Sequence, residues 1–240
     1  MFGFEKELIK LGEELQTDLH SHLIPGVDDG APDLETALFL IKGMIQLGYK
    51  KLIITPHIHH EDYPNAPFSL IQAFHDLNAK IKSENLPIEI FLGAEYFLDS
   101  SFISRMEKEE LLHFGKRWVL VETSLYAPFN PLIEVLFQIR LKGYQPILAH
   151  PERYRYIEDP EWLKKTRDTG CLFQVNILSY LGGYGKKAKN LAWYLLENGL
   201  VDFLGSDIHH KRALLSLENF PMDKKFLSLL SKNPILNKDF

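Results

Sequence analysis

A single cysteine in 240 residues excludes any intrachain disulfide and agrees with a reducing compartment. It also excludes thiolate-based phosphate-ester chemistry of the C-x5-R kind, because Ile177, not arginine, stands six residues after Cys171. Cys171 opens the apolar run Cys171–Val175 and reads as core. No apolar stretch is long enough to span a bilayer. The N-terminus, Met1 to Gln16, lacks the basic start and continuous apolar segment of a secretory signal. It alternates charges with Leu8, Ile9, Leu11 and Leu15, which predicts a short amphipathic helix and a cytoplasmic protein. An excess of positive charge is missing too: 27 Lys and Arg against 32 Asp and Glu give a net charge of −5. That balance argues against general binding to nucleic acid or insertion into an anionic membrane. No G-x-S-x-G is present. The glycine-rich run Gly182 to Lys187 lacks the G-x4-G-K-[ST] spacing and does not directly follow a strand. It is read as a turn between helices whose glycines and lysines are available to a pocket mouth. With no Pro/Gly/Ser-rich linker and no internal repeat, residues 1–240 are expected to form one domain, with 1–16 as a helical N-terminal extension.

Histidine is what the chain has in a pattern. Eight of its ten histidines fall in four places: His20/His22, His57/His59/His60, His150 and His209/His210. The other two, His75 and His113, are expected on helix surfaces without a role. The run Thr17 to His22 starts as a strand, and on a strand Asp18, His20 and His22 point the same way. An isolated H-x-H is more often a structural polar cluster than a metal site. Here comparable clusters recur after later strands.

Strand, loop and helix alternate along the chain. Seven short apolar strands are predicted: Thr17–Leu19, Lys51–Thr55, Pro87–Leu92, Arg117–Val121, Gln145–Ala149, Cys171–Val175 and Val201–Leu204. Helices are predicted from Pro32-Asp33 to about Leu47, then over Ser69–Lys82, Ser101–Lys108, Pro131–Lys142, Glu161–Thr169, Lys186–Asn198 and Asp223–Leu230, several closed by glycine. The expected fold is α/β with a mainly parallel sheet, closed as a (β/α)7 barrel; an open doubly wound sheet is the alternative, and periodicity does not separate them.

Metal-type side chains follow the C-terminal ends of six of these strands: His20/His22, His57, Glu95, Glu122, His150, and Asp207/His209. In an α/β barrel that is the face on which sites are built, so residues far apart in sequence would converge. Imidazoles and carboxylates without thiolate suit Mn, Fe, Zn or Ni. With Asp29 added, the donors outnumber what one tetrahedral ion takes and are enough for two or three. Adjacent ions acidify a shared water and neutralise a phosphoryl group. Arg153, three residues after His150, suits a bidentate grip on phosphate better than a solvated surface charge. For Lys211 and Arg212 surface charge is an equal reading. His59, His60 and His210 are read as rim residues, alternative ligands or proton donors, and Asp18 as a carboxylate orienting a ring N–H.

Taken in order, D-x-H-x-H with D-D-G, T-P-H, G-A-E, V-E, A-H-P-E-R-Y and S-D-x-H resemble the polymerase and histidinol phosphatase (PHP) superfamily. Within it, H-S-H-x-x-P-G-V-D-D-G and A-H-P-E-R-Y are similar to the bacterial manganese-dependent protein-tyrosine phosphatases of the CpsB/CapC/YwqE type. The similarity runs from about Thr17 to the C-terminus. The resemblance implies a distorted (β/α)7 TIM-like barrel and a trinuclear Mn2+ site, with Fe, Zn or Co as alternatives. It implies His20, His22, Glu95 and Asp207 on one ion, Glu95, Glu122 and His150 on a second, and Asp29, His57 and His209 on a third. It implies Arg153 as the phosphate-binding arginine and Arg212 as the counterpart of a second one. Arg153, Asp207 and His209 are the expected catalytic residues, and Arg153, Arg212, His59 and His210 the expected substrate contacts. The family's arginine after the last ligand stands at slightly larger spacing than Arg212 does. The implied activity is hydrolysis of phosphotyrosine in protein, on a tyrosine autokinase controlling capsule or exopolysaccharide synthesis. The alternatives are another phosphoesterase of the superfamily, acting on histidinol phosphate or a nucleotide phosphate, and a metal-loaded protein that binds a phosphoprotein without turnover.

Overall fold

The computed structural model describes residues 10–108 and 111–240. The part of the predicted N-terminal helix before Lys10 lies outside the described residues. The remainder begins with α1 (Leu11–Leu15), followed by β1 (Thr17–Asp18), α2 (Leu34–Gln46), β2 (Lys51–Ile54), β3 (His57–Ile58) and α3 (Pro67–Ser83). Next come β4 (Glu89–Leu92), β5 (Glu95–Phe97), α4 (Ser100–Lys108), β6 (Trp118–Glu122), α5 (Leu132–Leu141) and β7 (Gln145–Ala149). The chain ends with α6 (Glu161–Asp168), β8 (Leu172–Asn176), α7 (Lys186–Glu197), β9 (Phe203–Gly205), α8 (Lys211–Glu218) and α9 (Lys224–Lys232).

All pairings between these strands are parallel, in the orders β1-β2-β4 and β3-β5-β6-β7-β8-β9. Beyond the second and third predicted strands the structure adds two short ones, β3 after Thr55-Pro56, where proline has no N–H to give the ladder, and β5 after Gly93-Ala94. Backbone bonds carry the sheet across both breaks, Thr55 N to Ser21 O at 2.8 Å and Glu95 N to Pro56 O at 3.0 Å. The first and last strands also meet: Asp207 N donates to His20 O at 2.8 Å and His22 N to Ile208 O at 3.1 Å. These bonds close the sheet, so the fold is the distorted TIM-like barrel and not the open alternative.

Strand alternation divides the core in two. On β6, Val119 and Val121 face the helices, while Trp118 and Leu120 join Leu19, Ile53, Ile147 and Phe203 in an apolar plug inside the barrel. Further along the same inward rows, at alternate positions, stand Glu122 on β6 and, beyond Leu172, Gln174 and Asn176 on β8. The barrel is therefore apolar at one end and polar at the other. α2 is started by Asp33, whose side chain accepts from Thr36 N at 2.7 Å. Gly48, at φ +93°, follows its end. His75 is exposed on α3 as expected; His113 lies in the extended segment before β6, not on a helix, with its ring 5.7 Å from Tyr144.

Candidate metal centre

The C-terminal barrel end holds a cleft of about 680 Å³. Its lining includes Asp29, His57, Glu95, Glu122, His150, Asp207 and His209, with Arg153 on its wall. His20 and His22 are fully buried beneath it. All nine expected ligands thus converge. Two of them, His150 at φ +33° and Asp207 at φ +52°, occupy left-handed backbone that non-glycine residues rarely take, a strain that recurs at functional sites.

The hydrogen-bond network fixes which ring atoms face the centre. Asp207 Oδ2 accepts from Asn176 Nδ2 at 2.7 Å, so Asn176 Oδ1 must accept from Gln174 Nε2, at 2.9 Å. That turns Gln174 Oε1 toward His20 Nδ1, 2.8 Å away, and places the ring hydrogen on Nδ1. His22 Nδ1 likewise meets Asp28 Oδ2 at 2.8 Å, and His209 Nδ1 meets the Asp207 carbonyl at 2.9 Å. Three Nε2 lone pairs are left pointing inward. The His20 and His22 Nε2 atoms lie 3.0 Å apart, and Glu95 Oε2 stands 3.1 and 3.4 Å from them. Acceptors facing acceptors in a buried site need a cation between them. The neutral imidazoles, anchored on their far side, and the carboxylates fit divalent metal.

Without metal, protons take that place. Burial opposes charge on His20, but Glu95 and Asp207 outweigh it and raise its pKa to about 9. His57 is raised to about 10 against the same opposition, chiefly by Glu95 and Glu122, and His209 to about 9 by Asp207 and Asp29. The acids move the other way: despite burial, the surrounding rings hold Glu95 and Asp207 well below the carboxylate range.

The donors group less sharply than the three expected sets. His22, Asp29, His57 and His209 form one group; His20, His22 and Glu95 a second; His57, Glu95 and Glu122 a third. His22, His57 and Glu95 each serve two. His57 does so because Nδ1 lies 3.2 Å from both Glu95 and Glu122, while Nε2 is 3.5 Å from Asp29. His150 Nε2 approaches Glu95 Oε1 at 3.0 Å and Glu122 Oε2 at 3.7 Å. Glu95 is thus shared by rings on both sides.

Arg153 Nη1 donates to Asp207 Oδ2 at 2.7 Å. Arg212, His59 and His210 line the cleft. His59 Nδ1 pairs with Asp62 at 2.9 Å, and His210 Nδ1 accepts from Ala213 N at 3.2 Å as the cap of α8. His60 lines a separate depression, and Lys211 lies over the Phe39 ring at 4.8 Å, outside the cleft. Asp18 does not orient a ring: its two oxygens accept from Ser206 N at 2.7 Å and Ser206 Oγ at 2.6 Å. Asp28 and Gln174 do that work, and sequence reasoning missed both, together with Asn176, which fixes Gln174. Asp28 stood within the D-D-G motif; the β8 pair sat at alternating inward positions.

The family model of capsular polysaccharide synthesis proteins CpsB/CapC matches residues 16–215. The chain is 30% identical over 198 residues to the tyrosine-protein phosphatase YwqE of Bacillus subtilis, covering 82% of this chain and 78% of that one. It is 26% identical over 200 residues to the tyrosine-protein phosphatase CpsB of Streptococcus agalactiae, covering 80% and 82%. A crystal structure from the pair YwqE of Bacillus subtilis and CpsB of Streptococcus pneumoniae, metal-dependent tyrosine phosphatases, superposes with a TM-score of 0.78 at 27% identity, over 92% of this chain and 93% of that one. A histidinol phosphate phosphatase of Lactococcus lactis shares the fold, with a TM-score of 0.57 at 16% identity over 95% of each chain. By the extent of the family match and the identity to YwqE, the chain belongs to the CpsB/CapC family of capsular polysaccharide synthesis proteins.

Proposed function

We propose that this chain is a metal-dependent protein-tyrosine phosphatase, loaded with Mn2+ and acting in the cytoplasm on a tyrosine-phosphorylated protein, a bacterial tyrosine autokinase of capsule or exopolysaccharide synthesis. The observation that carries the reading is one cleft with two kinds of surface. Its floor is the imidazole–carboxylate cluster and its wall holds Arg153, while Tyr63, Phe97, Leu125 and Leu178 supply aromatic and apolar lining of the kind an aryl ring takes. The activity of the CpsB and YwqE relatives supports it.

His20, His22, Asp29, His57, Glu95, Glu122, His150, Asp207 and His209 hold the metal ions in this reading. Bound there, the ions supply Lewis acidity, activating water and offsetting phosphoryl charge. Arg153 has five N–H donors, of which Asp207 engages Nη1, and the remaining donors grip non-bridging phosphoryl oxygens. Arg212, His59 and His210 meet the substrate at the rim. A tyrosine leaving group has a pKa of about 10 in model compounds, so it departs without strong acid assistance.

The test is phosphate release from a phosphotyrosine peptide, a phosphoserine peptide and histidinol phosphate, using protein stripped of metal and reloaded with Mn2+. Release from phosphotyrosine alone is expected. It should be lost in Glu95→Gln and reduced about 100-fold or more in Arg153→Ala, as for other removed donors to a transition-state oxyanion. A preference for histidinol phosphate refutes the substrate and keeps the site. No release under Mn, Fe, Co or Zn refutes the enzyme and favours a binding role.

A further inference from the structure

The glycine-rich run Gly182 to Lys187, unexplained as a phosphate loop, holds Tyr184. Gly182 and Gly185 adopt φ of +90° and +94°, and Gly185 N closes on Gly182 O at 2.9 Å. This tight turn sits between the short 3₁₀ turn Ile177–Leu181 and α7, and it carries Tyr184 into the lining of the cleft. The Arg153 guanidinium carbon lies 4.3 Å from the centroid of the Tyr184 ring. At that distance a planar guanidinium rests on the aromatic face and is attracted by its quadrupole. Asn176, whose Nδ2 donates to Asp207 Oδ2 at 2.7 Å, holds the other partner of Arg153 in place. Arg153 is therefore fixed from two directions, by Asp207 at Nη1 and by the tyrosine ring beneath its plane.

We infer that Tyr184 is a positioning residue for phosphate capture: it seats Arg153 so that the guanidinium edge not used by Asp207 faces the phosphoryl group. The inference rests on the phosphatase reading for its substrate, but its structural content is a claim about anion binding through Arg153. Arginine on this long side chain has rotamer freedom to lose, and a preformed seat removes that cost before the anion arrives.

The experiment measures inorganic phosphate and orthovanadate binding to metal-loaded protein by calorimetry, alongside KM and kcat for a phosphotyrosine peptide. Tyr184→Leu should weaken anion binding roughly tenfold, within the range of a partly desolvated cation–π contact. It should raise KM more than it lowers kcat, with metal content unchanged. Tyr184→Phe, which keeps the ring, should restore most of the affinity. In an Arg153→Ala background the Tyr184→Leu effect should vanish, since a residue acting through Arg153 has nothing left to act on. If Tyr184→Leu does not fold, Tyr184→Met, which fills the volume without an aromatic face, carries the same expectation. Wild-type anion affinity in the leucine or methionine variant overturns the inference, as does an undiminished effect in the Arg153→Ala background. Should the wild type bind phosphate without hydrolysing phosphotyrosine, the proposed substrate falls while the anion-binding measurements still decide the role of Tyr184.

Discussion

At the scale of single residues, the two aspartates of D-D-G part company. Asp29 is exposed and offers Oδ1 to His57 and His209 at 3.5 and 3.4 Å. The Asp28 carboxylate is buried and accepts from His22 Nδ1 at 2.8 Å, from His57 N at 3.0 Å and from Gly30 N at 3.0 Å. Burial works against its charge, but His22 and the backbone N–H groups prevail and hold its carboxyl well below the usual range. Asp28→Asn keeps the shape and removes the charge that fixes the His22 ring. Metal affinity should fall by about 10–100-fold, as for other partners of ligating histidines. Metal content after dialysis against graded chelator measures this, and Asp33→Asn, at an exposed helix cap, should leave it unchanged. The proposed ligands other than Asp29 were legible because each follows an apolar strand in a position where a loop has no need of imidazole or carboxylate. Their supports were not. Asp28 differs from Asp29 only in the direction its side chain leaves the turn, and L-F-Q-V-N reads like any half-buried strand until Gln174 and Asn176 are seen against His20 and Asp207.

At the scale of elements, the predicted strands and most helices are present because period-two apolar runs and glycine or proline boundaries report local preference directly. Local preference did not report β3 and β5 beyond Thr55-Pro56 and Gly93-Ala94, since each is two or three residues long and begins on a polar side chain, His57 or Glu95. The helical character from Lys211 was readable, and α8 begins there, capped by His210, an uncommon residue for that position. Close approach between elements is likewise invisible in a sequence. Gly12 of α1 donates its N–H to Leu47 O at 2.9 Å, and a Cβ there would stand 2.2 Å from Tyr49 N and 2.6 Å from Gly48 C. Those are backbone atoms and cannot rotate aside. Gly12→Ala should therefore cost about 1–3 kcal/mol, the usual penalty of overpacking. At about 2–4 °C per kcal/mol for a chain of this size, a thermal melt resolves it. α1 precedes β1, at the far end of that strand from His20, so the folded variant should keep its metal affinity. A melt at the wild-type midpoint refutes the close packing of α1 on the turn after α2.

For the whole molecule, three of the nine proposed ligands, His20, His22 and Asp207, stand on the barrel seam. His20 and His22 after the first strand bond through their backbones to Asp207 and Ile208 after the last, and the side chains of His20 and Asp207 face each other across the seam at 3.5 Å. Periodicity did not decide closure because these few bonds join residues at opposite ends of the chain. Metal bound there is a staple between first and last strands, and its absence leaves protons to do the same work. His20, His57 and His209, near 6.5 in an unfolded chain, are raised to about 9, 10 and 9 in the metal-free fold. A group whose pKa is raised on folding stabilises fully below its unfolded value and loses that contribution as pH climbs through the folded one. Asp18, raised by burial from 3.8 to about 7, acts with the same sign at lower pH. The depressed carboxylates Asp28, Glu95 and Asp207 are ionised in both states above pH 6 and add no slope there. Chelator-treated protein should therefore melt at a progressively lower temperature as pH rises from 6 to 10. Metal binding displaces the ring protons, so the gain in melting temperature on adding Mn2+ should grow over the same interval. Calorimetric titration of Mn2+ near pH 7.5, in buffers of different ionisation enthalpy, should register net proton release. A metal-free melting temperature that is flat or rising from pH 6 to 10, with no proton release, would show that the rings are already neutral before metal arrives and that the carboxylates do not hold protons in its place.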